Sequence, residues 1–197
     1  MSAQEFERCI AGGGVALFPA DTVYGLACDP GSETAVERLY AIKRRPLVRP
    51  AAVMFFDLGR ALAALPELGP RTHAALERLL PGAVTLLLPN PDGRFPLACG
   101  PTPERLGLRV PELPLLAGVG RPVLQSSANP SGGLDARSVE GVDERIRREV
   151  DLVVDGGELP GTPSTVIDLT AYEDSGAFEI AREGALSAEA VEAALRS

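Results

Sequence analysis

Five cationic side chains, Arg38, Lys43, Arg44, Arg45 and Arg49, fall close together, and no carboxylate interrupts them between Glu37 and Asp57. The chain as a whole has 19 Lys+Arg against 27 Asp+Glu and a net charge of −8, so this stretch reverses the local sign. Lys43 is also the sole lysine, the other 18 cations being arginine. An ammonium and a guanidinium present different donor geometries, which singles Lys43 out. Two readings stand for the cluster. It is a solvated charge run at a helix end, where cations favour the negative end of the dipole, or it is a site that holds an anion.

Other residues offer related chemistry. Ser126-Ser127-Ala128-Asn129-Pro130-Ser131-Gly132 is dense in small hydrogen-bonding groups, which forms either an anion-accepting nest or an ordinary turn. Arg109 lies among apolar neighbours, so it pairs with an internal carboxylate or faces a ligand, because an unpaired buried charge is too costly. Asp21, Thr22 and Tyr24 follow the C-terminal end of a strand, where ligands gather in open α/β sheets; the alternative is a turn and a packed tyrosine. Ser164 and Thr165 set two hydroxyls at the mouth of a later strand. His73 is the only histidine, which leaves little material for a Ser-His-Asp triad or a histidine metal site. Cys9, Cys28 and Cys99 are odd in number and widely spaced, so neither a disulfide framework nor a zinc site is expected, and a reduced, cytoplasmic setting follows. P-loop and dinucleotide-binding glycine fingerprints are both missing.

These side chains need a scaffold. Ser2 with Glu5 makes a capping-box pattern ahead of Phe6, Cys9 and Ile10, and Gly12-Gly13-Gly14 stops that helix. A short strand over 15–18 follows. Ser32 or Glu33 opens a helix with Ala35, Val36, Leu39, Tyr40 and Ile42 on one side; it delivers Lys43, and Pro46 ends it. The run 51–56 reads as a buried strand. Helices are predicted over 58–65 and 70–80, a strand over 83–88, a loop over 89–103, and strands over 106–111 and 122–125. A helix over 138–150, strands over 151–154, 164–169 and 178–182, and an amphipathic helix capped by Ser187 complete the chain. Apolar content of 45% fits a globular protein. No apolar run approaches the roughly 20 residues of a membrane helix, and the N-terminus has no signal-sequence pattern. The expectation is one α/β (α+β) domain over 1–197, built on a mixed sheet.

Taken in order, Pro19-Ala-Asp-Thr-Val-Tyr-Gly-Leu, Lys43-x-Arg45-Pro46, Pro81-Gly-x-x-Thr85, Gly107-x-Arg109-x-Pro111, Ser127-Ala-Asn129-x-Ser-Gly132, Gly161-x-x-Ser164-Thr-Val-x-Asp168 and Arg182-x-Gly184 form a series. The series resembles the YrdC-type family of threonylcarbamoyl-AMP synthases, in its short, single-domain form. The resemblance implies a twisted, mostly open sheet flanked by helices, with a concave cationic cavity. It also implies that L-threonine, bicarbonate or CO2, and ATP give threonylcarbamoyl-AMP and pyrophosphate, with Mg²⁺ beside the phosphates. Partner proteins would then place the threonylcarbamoyl group on tRNA. By the family pattern Lys43 and Arg45 are catalytic and, with Arg182, hold the phosphates. Ser127 and Asn129 bind the nucleotide, and Thr22, Arg109 and Ser164 line the threonine side, Arg109 through a bidentate pair with the carboxylate. No protein-held metal site is implied.

The chain departs from the pattern at Ala20, Arg49, Met54 and 135–137, and Met54 stands where the family often has a histidine associated with the threonine pocket. A non-catalytic module of the same fold that binds double-stranded RNA or tRNA is the alternative function, and a related carbamoyl-transfer or sugar-phosphate enzyme is a more distant one. On the reading of Lys43 as exposed at a helix end, Lys43→Ala is expected to stop turnover and leave the fold intact.

Overall fold

The strands of this chain alternate bulky aliphatic residues with small or polar ones, and that alternation decides which sheet face is buried. The computed structural model of the protein describes residues 2–196. Among these, nine strands form one sheet in the order β7-β1-β2-β6-β3-β5-β4-β8-β9. They are β1 (Ala16–Pro19), β2 (Tyr24–Cys28), β3 (Ala52–Met54), β4 (Val84–Pro89), β5 (Arg105–Arg109), β6 (Val123–Ser127), β7 (Leu152–Val153), β8 (Thr165–Asp168) and β9 (Glu179–Arg182). The pairs β7–β1, β3–β5 and β4–β8 run parallel and the rest antiparallel, so the sheet is mixed and open, as expected.

One face carries Leu17, Leu26, Leu124, Val53, Leu108, Leu86 and Ile167. Most of the helices cover it: α2 (Glu33–Ile42), α3 (Leu58–Ala64), α4 (Pro70–Leu79), α6 (Glu144–Glu149) and α8 (Ala188–Arg196) all place apolar residues in this cluster. Burial of that many aliphatic side chains, each worth about 1.5–3 kcal/mol, is the main source of stability.

The opposite face is covered at one end only. There α1 (Ala3–Ala11) lays Phe6 and Ile10 over Ala16, Phe18, Ala27, Met54 and Val123. Phe6 packs against Phe18 and Phe56 with ring centroids 5.4 and 5.7 Å apart. The capping box that starts α1 is formed as read from the sequence. Beyond Met54 the same face presents Ala52, Gly107, Arg105, Arg109, Thr85 and Arg182, which are too small or too polar for a second core, and it stays open.

Three expectations need correction. No strand is expected directly after β1, yet the chain turns back at Asp21 and Tyr24–Cys28 form β2, antiparallel to β1. The helix read over 138–150 shrinks to α6, because Ser138 and Gly141 close a local turn and Asp143 caps a fresh start. The short helices α5 (Pro96–Cys99) and α7 (Tyr172–Ser175) were hidden in stretches with no periodicity. The three cysteines are free, and no helix among the described residues is long and apolar enough to cross a membrane.

Candidate active site

The open end of that sheet face is the floor of a cavity of about 320 Å³. Because paired residues on neighbouring strands share a face, the register fixes what the floor shows: Gly107 sits beside Ala52, and Ala52 beside Gln125. Small residues there leave room above the sheet. Around them stand Arg45, Arg105, Arg109 and Arg182, with Asp135 as the one carboxylate in the lining. Thr22, Thr85, Ser127 and Ser164 supply hydroxyls.

Arg109 is 3% exposed, and its pairing answers the alternative left open by the sequence. Its Nη2 donates to Asp21 Oδ1 at 2.7 Å and to the Ala20 carbonyl at 3.3 Å, and its Nη1 donates to Gln125 Oε1 at 3.4 Å. The partner is an internal carboxylate. A bidentate grip on a ligand carboxylate needs Nη2, which Asp21 and Ala20 already hold, so that expectation is not met in this arrangement. The Nε–H of Arg109 has no protein acceptor. Burial lowers the Arg109 pKa against the pull of Asp21, and burial raises that of Asp21 against the pull of Arg109.

Asp21 reaches Arg109 because its backbone is left-handed, with φ 64°, an uncommon conformation for a residue with a side chain. The Thr22 N–H donates to Asp21 Oδ1 at 2.6 Å, which holds the carboxylate in the turn and leaves Thr22 on the cavity wall. Tyr24 is packed, as the bland reading had it. Its hydroxyl donates to the Gly157 carbonyl at 2.8 Å and does not line the cavity.

Across the cavity, Arg182 on β9 donates through Nη2 to the Ser164 carbonyl at 2.6 Å, and Ser164 Oγ lies 2.8 Å from Thr85 Oγ1. Gly184 permits this closeness, since a Cβ there would fall 2.3 Å from the Pro163 carbonyl oxygen. Thr165 points to the other face, where its hydroxyl donates to the Leu186 carbonyl. Arg45 donates to the Pro50 carbonyl at 2.6 Å, stacks over Tyr40 at 5.7 Å and keeps a buried Nε–H with no protein acceptor.

Lys43 departs most from its expected place. It is 1% exposed, not solvated, which removes the ground for expecting Lys43→Ala to leave the fold intact. Its Nζ donates to the carbonyls of Ser127 and Asn129 and to Asn129 Oδ1, at 2.8 Å for the second and 3.0 Å for the third. Burial, assisted by Arg45 and opposed by Asp135, lowers its pKa to about 8. Neither Lys43 nor Asn129 lines the cavity; Thr22, Arg45, Arg109, Ser127, Ser164 and Arg182 do. Met54 is buried in the apolar cluster beneath α1, not in the cavity lining. Sequence reasoning missed Arg105, Gln125 and Asp135 as site residues. For Arg105 a signal existed: Arg-Leu-Gly-Leu-Arg alternates, so Arg105 and Arg109 share a face.

A family model described as telomere recombination, covering Sua5, YciO and YrdC, matches residues 8–184. The chain belongs to the Sua5/YciO/YrdC family. Two relatives named threonylcarbamoyl-AMP synthase support this. One, from Stutzerimonas stutzeri, is 33% identical over 175 residues, covering 86% of this chain and 94% of its own. Another, from Pseudomonas paraeruginosa, is 36% identical over 178 residues, covering 85% and 92%. Among solved structures, Pyrococcus abyssi Sua5 complexed with L-threonine matches with a TM-score of 0.86 and 27% identity over 98% of this chain. This chain spans 56% of that one. The Sua5/YciO/YrdC relatives named here are synthases of the nucleotidyltransferase type.

Proposed function

We propose that this protein is an L-threonylcarbamoyladenylate synthase. Threonine's amine captures CO2, and the carbamate oxygen attacks the α-phosphorus of ATP as pyrophosphate leaves. Such a reaction needs positioned reactants and fixed positive charge where phosphate charge develops, with no covalent nucleophile. The observation that carries the reading is a wall on which four arginines and the hydroxyls of Thr22, Thr85, Ser127 and Ser164 converge over a floor of glycine and alanine. Arg45 and Arg182 approach the phosphates, each from its own side of the cavity, and the buried Nε–H of Arg45 is left to donate to them. Ser127 meets the nucleotide, while Thr22, Ser164 and Arg109 line the threonine end. Asn129 serves through the turn that it shares with Ser127.

Mg²⁺ fits this wall only as an ion carried by the nucleotide. Asp135 is the one carboxylate in the lining, and no group of three or more metal-binding side chains occurs among the described residues. Phosphates would hold it. Bicarbonate as carbon source, tRNA as the final acceptor, transfer proteins as consumers of the product and a cytoplasmic location belong to the same proposal. The three free cysteines support the last of these.

The test is ATP-dependent pyrophosphate release with bicarbonate and Mg²⁺, with and without L-threonine and with other amino acids as controls. Threonine-dependent release is the expected result. Absence of release with every amino acid, together with salt-sensitive binding of double-stranded RNA, would establish the binding module instead.

A further inference from the structure

A chain with 18 arginines and one lysine has put the lysine where three acceptors converge on one nitrogen. The Ser127 carbonyl, the Asn129 carbonyl and Asn129 Oδ1 take the three N–H groups of the ammonium, so none is left over for a ligand. The backbone carbonyl of the same residue accepts from the Ser131 N–H at 2.9 Å. Lys43 therefore grips the Ser127–Ser131 turn from both its head group and its main chain, and the C-terminal end of α2 becomes the turn's support. A guanidinium cannot substitute: its N–H groups spread in one plane over three nitrogens and do not converge.

We infer that Lys43 is a positioning residue that clamps the Ser127–Asn129 turn and does not itself touch the nucleotide phosphates. The clamp has a consequence for Ser127. Its hydroxyl donates to Asn129 Oδ1 at 2.7 Å, and that oxygen also accepts from Lys43. Ser127 lines the cavity and can turn its proton to a ligand oxygen, because Lys43 keeps the Asn129 acceptor satisfied. Two further groups of the turn are held without Lys43: the Ala128 N–H donates to the Tyr24 carbonyl at 2.7 Å, and Asn129 Nδ2 donates to the Gly133 carbonyl at 2.6 Å.

The inference rests on the synthase reading only for the identity of the ligand, and the sole lysine makes a direct test available. Protein labelled uniformly with ¹³C and ¹⁵N gives one lysine side-chain nitrogen signal, separate from those of the arginines. In the free protein the expected signal is an ammonium protected from solvent exchange, with couplings across hydrogen bonds to the carbonyl carbons of Ser127 and Asn129. A freely exchanging amine without those couplings overturns the clamp whether or not the protein is a synthase. Adenylyl imidodiphosphate with Mg²⁺ is then added. Retained couplings, while the Arg45 and Arg182 side-chain signals move, support the inference; transfer of the Lys43 ammonium to phosphorus contacts overturns it. If the arginine signals stay still, the nucleotide reading fails and the free-protein result on the clamp stands.

Kinetics give a second arm. Lys43→Arg keeps the charge, so a direct phosphate contact predicts a KM for ATP within a few-fold of the native value. The clamp predicts that Lys43→Arg and Lys43→Met both raise it at least tenfold while the KM for L-threonine holds.

Discussion

Asp21 holds Arg109 from a left-handed backbone position: one carboxylate oxygen accepts from Arg109 Nη2 at 2.7 Å and from the Thr22 amide at 2.6 Å. A strained residue at the turn of a hairpin thus balances the charge of an arginine buried two strands beyond β2's neighbour β6. Its removal leaves that charge uncompensated. Asp21→Ala is expected to cost about 3–5 kcal/mol, read as a fall in the urea midpoint. Asp21→Gly loses the same carboxylate and relieves the φ of 64°, so it should cost about 1 kcal/mol less than Asp21→Ala. Equal losses for the two would show that the backbone stores no strain.

The lowered pKa of Lys43 gives stability a definite pH dependence. Its ordinary value is 10.5 and its folded value about 8. Between these the unfolded chain holds a proton that the native protein has released, so stability from this group rises with pH, by at most about 1.4 kcal/mol per pH unit. Cys28 acts in the opposite sense, since burial pushes its thiol from 9.0 to about 12 and the unfolded chain loses that proton first. The Lys43 effect is therefore cleanest from pH 8 to 9. Native protein should gain stability over Lys43→Met across that interval in urea titrations, and a flat difference would place the folded pKa near its ordinary value.

Gly184→Ala tests how closely β9 must approach the loop before β8. Its methyl group would collide with the Pro163 carbonyl and with Ser164 backbone atoms. Those are main-chain atoms, so the chain has to shift. The expected cost is about 1–3 kcal/mol of stability, and displacement of Ser164 and Arg182 should lower kcat/KM on the order of a hundredfold. Native activity in a folded Gly184→Ala protein would detach Arg182 from the chemistry.

Met54 should govern packing and not amino-acid choice. It is 0% exposed among Phe18, Ala27 and Val123. Met54→Leu is expected to cost under about 1.5 kcal/mol and to keep the preference for L-threonine over L-serine in the pyrophosphate assay. A changed preference would bring this position into the threonine pocket.

Local patterns were legible in the sequence and long-range closures were not. Ser2 with Glu5 and Ser32 capped their helices as read, because a cap involves neighbours three residues apart. The run 106–111 reads as a strand with an arginine among apolar neighbours, and Arg109 does end strand β5. Whether that arginine met a ligand or a carboxylate depended on Asp21, 88 residues away, and no local pattern encodes that. Lys43 misled for the same reason. Its position at the end of a helix reads as solvent-exposed, yet its acceptors lie 84 and 86 residues downstream and close over it. The β1–β2 hairpin was missed because its turn uses aspartate, not glycine, at positive φ. Met54 needed the register with Val123 before its face could be assigned.

The strand order has a kinetic meaning. Ser164, just ahead of β8, and Arg182 on β9 lie at one edge, reached through β4, while Thr22 and Ser127 belong to the β1–β2–β6 half. The halves join through β3 and β5, and each half is itself closed by a pairing of long span, β2 with β6 (Gly25 to Ser127) and β4 with β8 (Val84 to Thr165). Contacts of that span form late and slowly during folding. A partly folded chain that has assembled either half alone holds one wall of the cavity and lacks the other, so competence to react arrives together with completion of the sheet.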